Sequence, residues 1–148
     1  MTKIDLPAPW DDTDIDYYFP STGGAIQTIT KGDAETVVTY DSMFRTRLEQ
    51  TKALDTGWES FVNTKYDALG RVIFTSQPSA SEFETKGTDT IYDGLGRMLS
   101  ATQNVSPFAA TTYDYLPEHA TRVTDPDGNA TTTYKDCLLY TSPSPRDS

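Results

Sequence analysis

The hexamer Tyr-Asp-x-x-Gly-Arg occurs twice in this chain of 148 residues, as YDALGR (Tyr66 to Arg71) and YDGLGR (Tyr92 to Arg97). The two tyrosines are 26 residues apart (66 to 92), and weaker copies flank them at similar distances. Tyr40-Asp41 lies 26 residues upstream of Tyr66, Tyr113-Asp114 lies 21 downstream of Tyr92, and Tyr134 follows after another 21. Repetition at a period of about 20–50 residues is the signature of stacked supersecondary units, none of which buries a core alone. It also argues against an enzyme, because a unit present several times is scaffold before it is an active site.

The best-preserved unit, Thr88 to Thr102, explains what each repeat does. Thr, Ile and Tyr ahead of the motif favour a strand. Asp93-Gly94-Leu95-Gly96 is turn chemistry: the Asp side chain accepts from backbone N–H groups ahead of it, and Gly in fourth place takes positive φ without a Cβ clash. From Arg97 the alternation resumes as a return strand, so the unit is predicted to be a β-hairpin. Asn63 to Ser76 repeats the design, with Val72 and Phe74 on one face of its return strand. Tyr66 and Tyr92 are expected to pack on neighbouring hairpins with their hydroxyls on a polar partner. Asp67 with Arg71, and Asp93 with Arg97, stand at opposite ends of one turn. The plain reading is a turn staple and the functional one a ligand site; a staple is wanted in every repeat, which favours it.

These residues resemble the YD repeats of the Rhs family, bacterial polymorphic-toxin proteins with relatives among toxin-complex subunits and the animal teneurins. The resemblance covers about Thr36 to Tyr134 and rests on the two hexamers in register. The repeat motif then comprises Tyr40, Asp41, Tyr66, Asp67, Gly70, Arg71, Tyr92, Asp93, Gly96, Arg97, Tyr113 and Asp114. Two copies depart from it: Phe44 stands where Gly is expected, and Tyr113 to Glu118 lacks both Gly and Arg, which puts those turns in question. Tyr17, 23 residues before Tyr40, marks a still weaker copy. The resemblance implies an all-β architecture of consecutive antiparallel hairpins in a curved or spiralling sheet. That sheet would wall a shell around a C-terminal toxin domain in a secreted or cell-surface protein. The implied partners are neighbouring repeats and the enclosed toxin, or, if the sheet is instead a binding or adhesion module, carbohydrate.

Cys137 to Asp147 reads CLLYTSPSPRD, which matches codon by codon the translation of a transposase-based sequencing adapter. Residues 136–148 are therefore expected to be a non-native, disordered tail, the one cysteine an artefact, the C-terminus an accident of library preparation, and Met1 an internal methionine or a chance start. The chain divides into 1–35, a loop plus a degenerate hairpin around Gly23-Gly24; 36–135, the hairpin array; and the tail. Within the first segment, Met1 to Asp16 reads as a Pro-rich acidic loop or edge with Trp10 as its anchor. Arg45 to Leu54 is taken as return strand and loop because the repeat register overrides its local helical look. Trp58 is expected to cover the sheet.

The net charge of −10, with no Lys/Arg cluster, argues against nucleic acid and anionic membrane surfaces. No run approaches the roughly 18 apolar residues of a membrane span, and no signal peptide is visible. Hydrophobic content of 36%, with abundant Thr and Tyr, suits sheets wetted on a face. No cofactor is expected. Asp125-Pro126-Asp127-Gly128-Asn129 has its Gly too early for a calcium loop and reads as an internal turn, although it also resembles the Asp-Pro-x-Gly element that ends Rhs cores. His119, the only histidine, reads as a surface loop residue. The acidic run Asp11, Asp12, Asp14 and Asp16 reads as a solvated loop.

Overall fold

Hairpin chemistry repeated along the chain produces one open sheet, seen in a computed structural model that describes residues 2–4, 12–117 and 119–135. Twelve strands follow in chain order: β1 (Thr2–Ile4), β2 (Thr13–Tyr18), β3 (Ala25–Lys31), β4 (Ala34–Tyr40), β5 (Thr46–Ala53), β6 (Glu59–Tyr66), β7 (Val72–Ser76), β8 (Gly87–Tyr92), β9 (Met98–Gln103), β10 (Ala109–Leu116), β11 (Ala120–Thr124) and β12 (Ala130–Tyr134). Each inner strand pairs antiparallel with the strands before and after it, with β1 on β2 and β12 on β11 at the edges, so spatial order equals sequence order. The all-β hairpin array expected from the repeats is what forms.

The sheet runs without a break across residue 35. Strand β4 holds that residue and pairs with β3 along its whole length, from Ala25↔Tyr40 to Lys31↔Ala34. Within the N-terminal segment expected over 1–35, strands β2 and β3 thus belong to the same sheet as the array. Thr13 to Asp16, expected as loop or edge segment, is strand near the edge of the sheet, because β2 pairs with β3 from Thr13↔Lys31 to Tyr18↔Ile26. The two-residue Gly32-Asp33 turn that joins β3 to β4 was hidden by the absence of a Tyr-Asp motif there. Arg45 to Leu54 folds as the return strand and loop that the repeat register requires. The Trp10 anchor, Asp11 and the 136–148 tail lie outside the described residues.

A single layer leaves little to bury. Among the described residues only Ala25, Phe74, Ser76, Gly87 and Ala120 are buried, and no large side chain is fully enclosed. Phe74, beneath the Lys65 ammonium at 4.9 Å from its ring centroid, is the one large member. The connector between β7 and β8 folds back on the sheet at Asn63. The Asn63 side-chain amide donates to the carbonyls of Glu82 and Glu84, and Ser76 Oγ accepts the Asn63 backbone N–H. Trp58, expected to cover the sheet, is 59% exposed.

Candidate functional site

The turn in the two full copies of the hexamer is built the same way. In Asp67 to Arg71, the Asp67 N–H donates to the Arg71 carbonyl (2.9 Å) and the Gly70 N–H to the Asp67 carbonyl (3.0 Å). That is a type I turn followed by a bulge residue in the left-handed region, where Gly70 has φ 83°. Asp67 Oδ1 accepts the N–H groups of Leu69 and Arg71, both at 2.9 Å, and Oδ2 accepts Arg71 Nε at 2.6 Å. Asp93 to Arg97 repeats each bond, with Gly96 at φ 82°.

Two further turns share this geometry against the letter of the motif. Asp41 holds Met43 N, Arg45 N and Arg45 Nε in the same way, with Phe44 in the glycine place at φ 58°. A left-handed conformation costs a residue with a Cβ about 1–2 kcal/mol, so the aspartate staple overrides the side chain's preference. Asp125 to Asn129 is the fourth copy: Gly128 has φ 85°, and the Asn129 amide takes the place of the arginine on Asp125 Oδ2. The Asp-Pro-x-Gly stretch is therefore an internal turn followed by β12.

These hydrogen bonds favour the charged carboxylate. The Arg45 side chain lowers the pKa of Asp41 below the ordinary value, and the Arg71 N–H does the same for Asp67. The Arg97 N–H lowers Asp93, and the Asn129 side chain lowers Asp125.

Each arginine also reaches the next hairpin. Extending the β7–β8 register from Phe74↔Asp89 brings Arg71 opposite Tyr92, and the guanidinium lies 4.7 Å over that ring. The Tyr92 hydroxyl donates to the carbonyl of Val72, the residue after the arginine, at 2.9 Å. Arg71 Nη1 donates to the Asp93 carbonyl in the following turn at 3.2 Å. One rung earlier, Arg45 lies 4.5 Å over Tyr66, whose hydroxyl donates to the Thr46 carbonyl at 2.8 Å. One rung later, Arg97 lies 4.0 Å over Tyr115, whose hydroxyl donates to the Met98 carbonyl at 2.9 Å. The hydroxyl partners expected for Tyr66 and Tyr92 are these carbonyls.

The third rung corrects the motif assignment. Tyr113 and Asp114 lie inside β10, paired with Val123 and Arg122, and make no turn. The β9–β10 register, from Ala101↔Thr111, sets Arg97 against Tyr115, two residues further on. The ladder position at this rung falls on Tyr115 and not on the Tyr-Asp letters, a shift that only cross-strand register reveals. His119 is exposed in the turn after β10 with φ 57°, and its carbonyl accepts the Lys135 N–H.

No protein-family model and no curated protein sequence matches the chain. Among the described residues no three His, Cys, Asp or Glu side chains gather to hold a metal, and no helix is long and apolar enough to cross a membrane.

Proposed function

We propose that this chain is a structural element: a run of wall in an Rhs/YD-type shell that encloses a C-terminal toxin for delivery. The observation that carries the proposal is the ladder. Its arginines and tyrosines are used in fastening one hairpin to the next, at three consecutive rungs. A sheet one layer thick, with a coupling repeated at each turn, extends by adding hairpins, as a wall must. Closing such a sheet would remove both exposed edges and separate a hazardous cargo from its surroundings. The alternative, a carbohydrate-binding or adhesion surface, needs open ring faces for sugar stacking. At Tyr66, Tyr92 and Tyr115 a guanidinium occupies one face of the ring.

The test is the genomic locus on both sides of the sequence, followed by expression of the whole reading frame. Further Tyr-Asp-x-x-Gly-Arg copies, a compositionally distinct domain after them, and a hollow shell that shields that domain from protease would support the proposal. A natural stop codon just after Tyr134, with a product that stays an open sheet, would refute it.

A further inference from the structure

The ladder has a place with no arginine. Tyr40 stands on β4 as Tyr66 stands on β6, and the residue opposite it in register is Ala25. In the three occupied rungs that opposite residue is Arg45, Arg71 or Arg97. Ala25 has no side chain beyond Cβ, and a cavity of about 240 Å³ is left above it, lined by Tyr17, Phe19, Ala25, Gln27, Tyr40 and Phe44. Among the described residues no cation stacks on Tyr40.

The lining is arranged and not merely vacant. Tyr40 donates its hydroxyl proton to Gln27 Oε1 at 3.0 Å, and Gln27 Nε2 donates to the Tyr17 hydroxyl at 2.7 Å, so one amide ties two rings together. Tyr17 and Phe19 are stacked, with centroids 6.4 Å apart and planes 12° from parallel. Phe44 contributes a fourth ring from the turn position that is glycine at 70, 96 and 128. The Asp41 staple holds Phe44 at φ 58°, and that turn conformation brings its ring to the cavity. Four aromatic rings, three of them more than half exposed, on a chain of net charge −10 make a receptor for a cation.

We infer that this cavity is a binding site for the guanidinium group of an arginine side chain presented by a partner polypeptide. The chain itself supplies the precedent, since tyrosines at the same register position take a guanidinium at 4.0–4.7 Å. A planar cation that stacks on Tyr40 leaves its N–H groups at the open rim, where solvent can accept them. The site stands whether or not the sheet is shell wall.

The test is a titration of the isotope-labelled full chain with N-acetyl-arginine methylamide, following the Gln27 side-chain amide and the Tyr17 and Tyr40 ring protons by NMR. Saturable shifts in the millimolar range are expected, because a single cation–π contact at an exposed site is weak. N-acetyl-citrulline methylamide, flat but neutral, is expected to bind several-fold more weakly. Ala25→Arg should fill the cavity from within and abolish the response. Phe44→Gly, at an exposed position whose backbone already suits glycine, should weaken binding several-fold and covers the case in which Ala25→Arg does not fold. Four results would overturn the inference: no saturable shift, equal binding of the citrulline probe, an unchanged response in both variants, or saturation by a methyl glucoside alone.

Discussion

If the ladder fastens hairpins, Arg71 and Tyr92 must be energetically coupled, and a double-mutant cycle measures the coupling. Tyr92→Phe keeps the ring under the guanidinium and removes only the hydroxyl that donates to the Val72 carbonyl. A net intramolecular hydrogen bond contributes about 0.5–1.5 kcal/mol, and the half-buried carbonyl left without its donor places this one at about 1. Tyr92→Leu removes the ring as well. The Arg71 side chain is 27% exposed, so its stack on Tyr92 lies between the surface and desolvated cases. That sets the expected coupling at about 1 kcal/mol. The cycle pairs Arg71→Gln with Tyr92→Leu.

The assay is urea unfolding followed by far-UV circular dichroism on the two single variants and the double. With a slope of about 2 kcal/mol per molar urea, a coupling of that size moves the midpoint by about half a molar unit relative to additivity. Arg71→Gln with Tyr115→Leu is the control, since Arg97 and not Arg71 lies over Tyr115. Distant sites add to within about 0.3–0.5 kcal/mol. A coupling inside that band for Arg71 and Tyr92, or an equal one for the control pair, would refute the ladder as a fastening device.

Gly70→Val should destabilise by about 1–2 kcal/mol, because φ 83° is hostile to a β-branched residue and the new Cβ would stand 3.4 Å from Arg45 Nη1; a chemical melt within error of the parent would remove the left-handed turn from the account. Acid should loosen the fold: Asp41, Asp67, Asp93 and Asp125 all have lowered native pKa values, so their stabilisation is complete above the ordinary value of 3.8 and is lost as pH falls below it toward the native values. Thermal melts from pH 6 down to pH 2 check the sign, and a fold as stable at pH 2 as at pH 6 would contradict it. The chain should also self-associate with concentration, because Ala130, Thr132 and Tyr134 direct their backbone groups away from β11 and leave β12 with an unpaired edge among the described residues. Thr132→Pro, which deletes one outward N–H, should reduce light scattering, whereas a monomer at every concentration with a melt above about 65 °C would show a closed domain.

The local half of this structure was legible in the sequence and the non-local half was not. Asp and Gly at fixed places in YDALGR and YDGLGR specify a turn whose bonds all fall within five residues. Composition alone therefore located the hairpins at 66–71 and 92–97 and the sign of φ at Gly70 and Gly96. The partner of each arginine depends on register between successive hairpins, which the intervening connector sets. That is why the Tyr113-Asp114 pair looked like a copy although Tyr115 holds the ladder position. The turn at Asp41 looked doubtful for the opposite reason. Phenylalanine disfavours the glycine conformation, but the three bonds to the Asp41 carboxylate hold the backbone there regardless. Thr13 to Asp16 could not be told from loop because aspartates alternate along it, and its pairing with β3 supplies what its side chains do not.

An open sheet with five buried residues among those described cannot rest on a core, so its cohesion has to come from nearest neighbours. Backbone ladders supply most of it, but they are indifferent to register, and a slip of one residue would turn every side chain to the other face. The arginine–tyrosine rung resists that slip. Its guanidinium meets a ring only when arginine and tyrosine are opposite, and the tyrosine hydroxyl meets a carbonyl only when that carbonyl belongs to the residue after the arginine. One pair thus reads register twice, once by stacking and once by hydrogen bonding, and its arginine is itself fixed by the aspartate of its own turn. At the fourth turn Asn129 keeps the bond to aspartate but is too short and uncharged to stack on a further tyrosine. The turn is preserved there while the means of coupling to a following hairpin is lost, which separates the two roles that Asp-x-x-Gly-Arg combines.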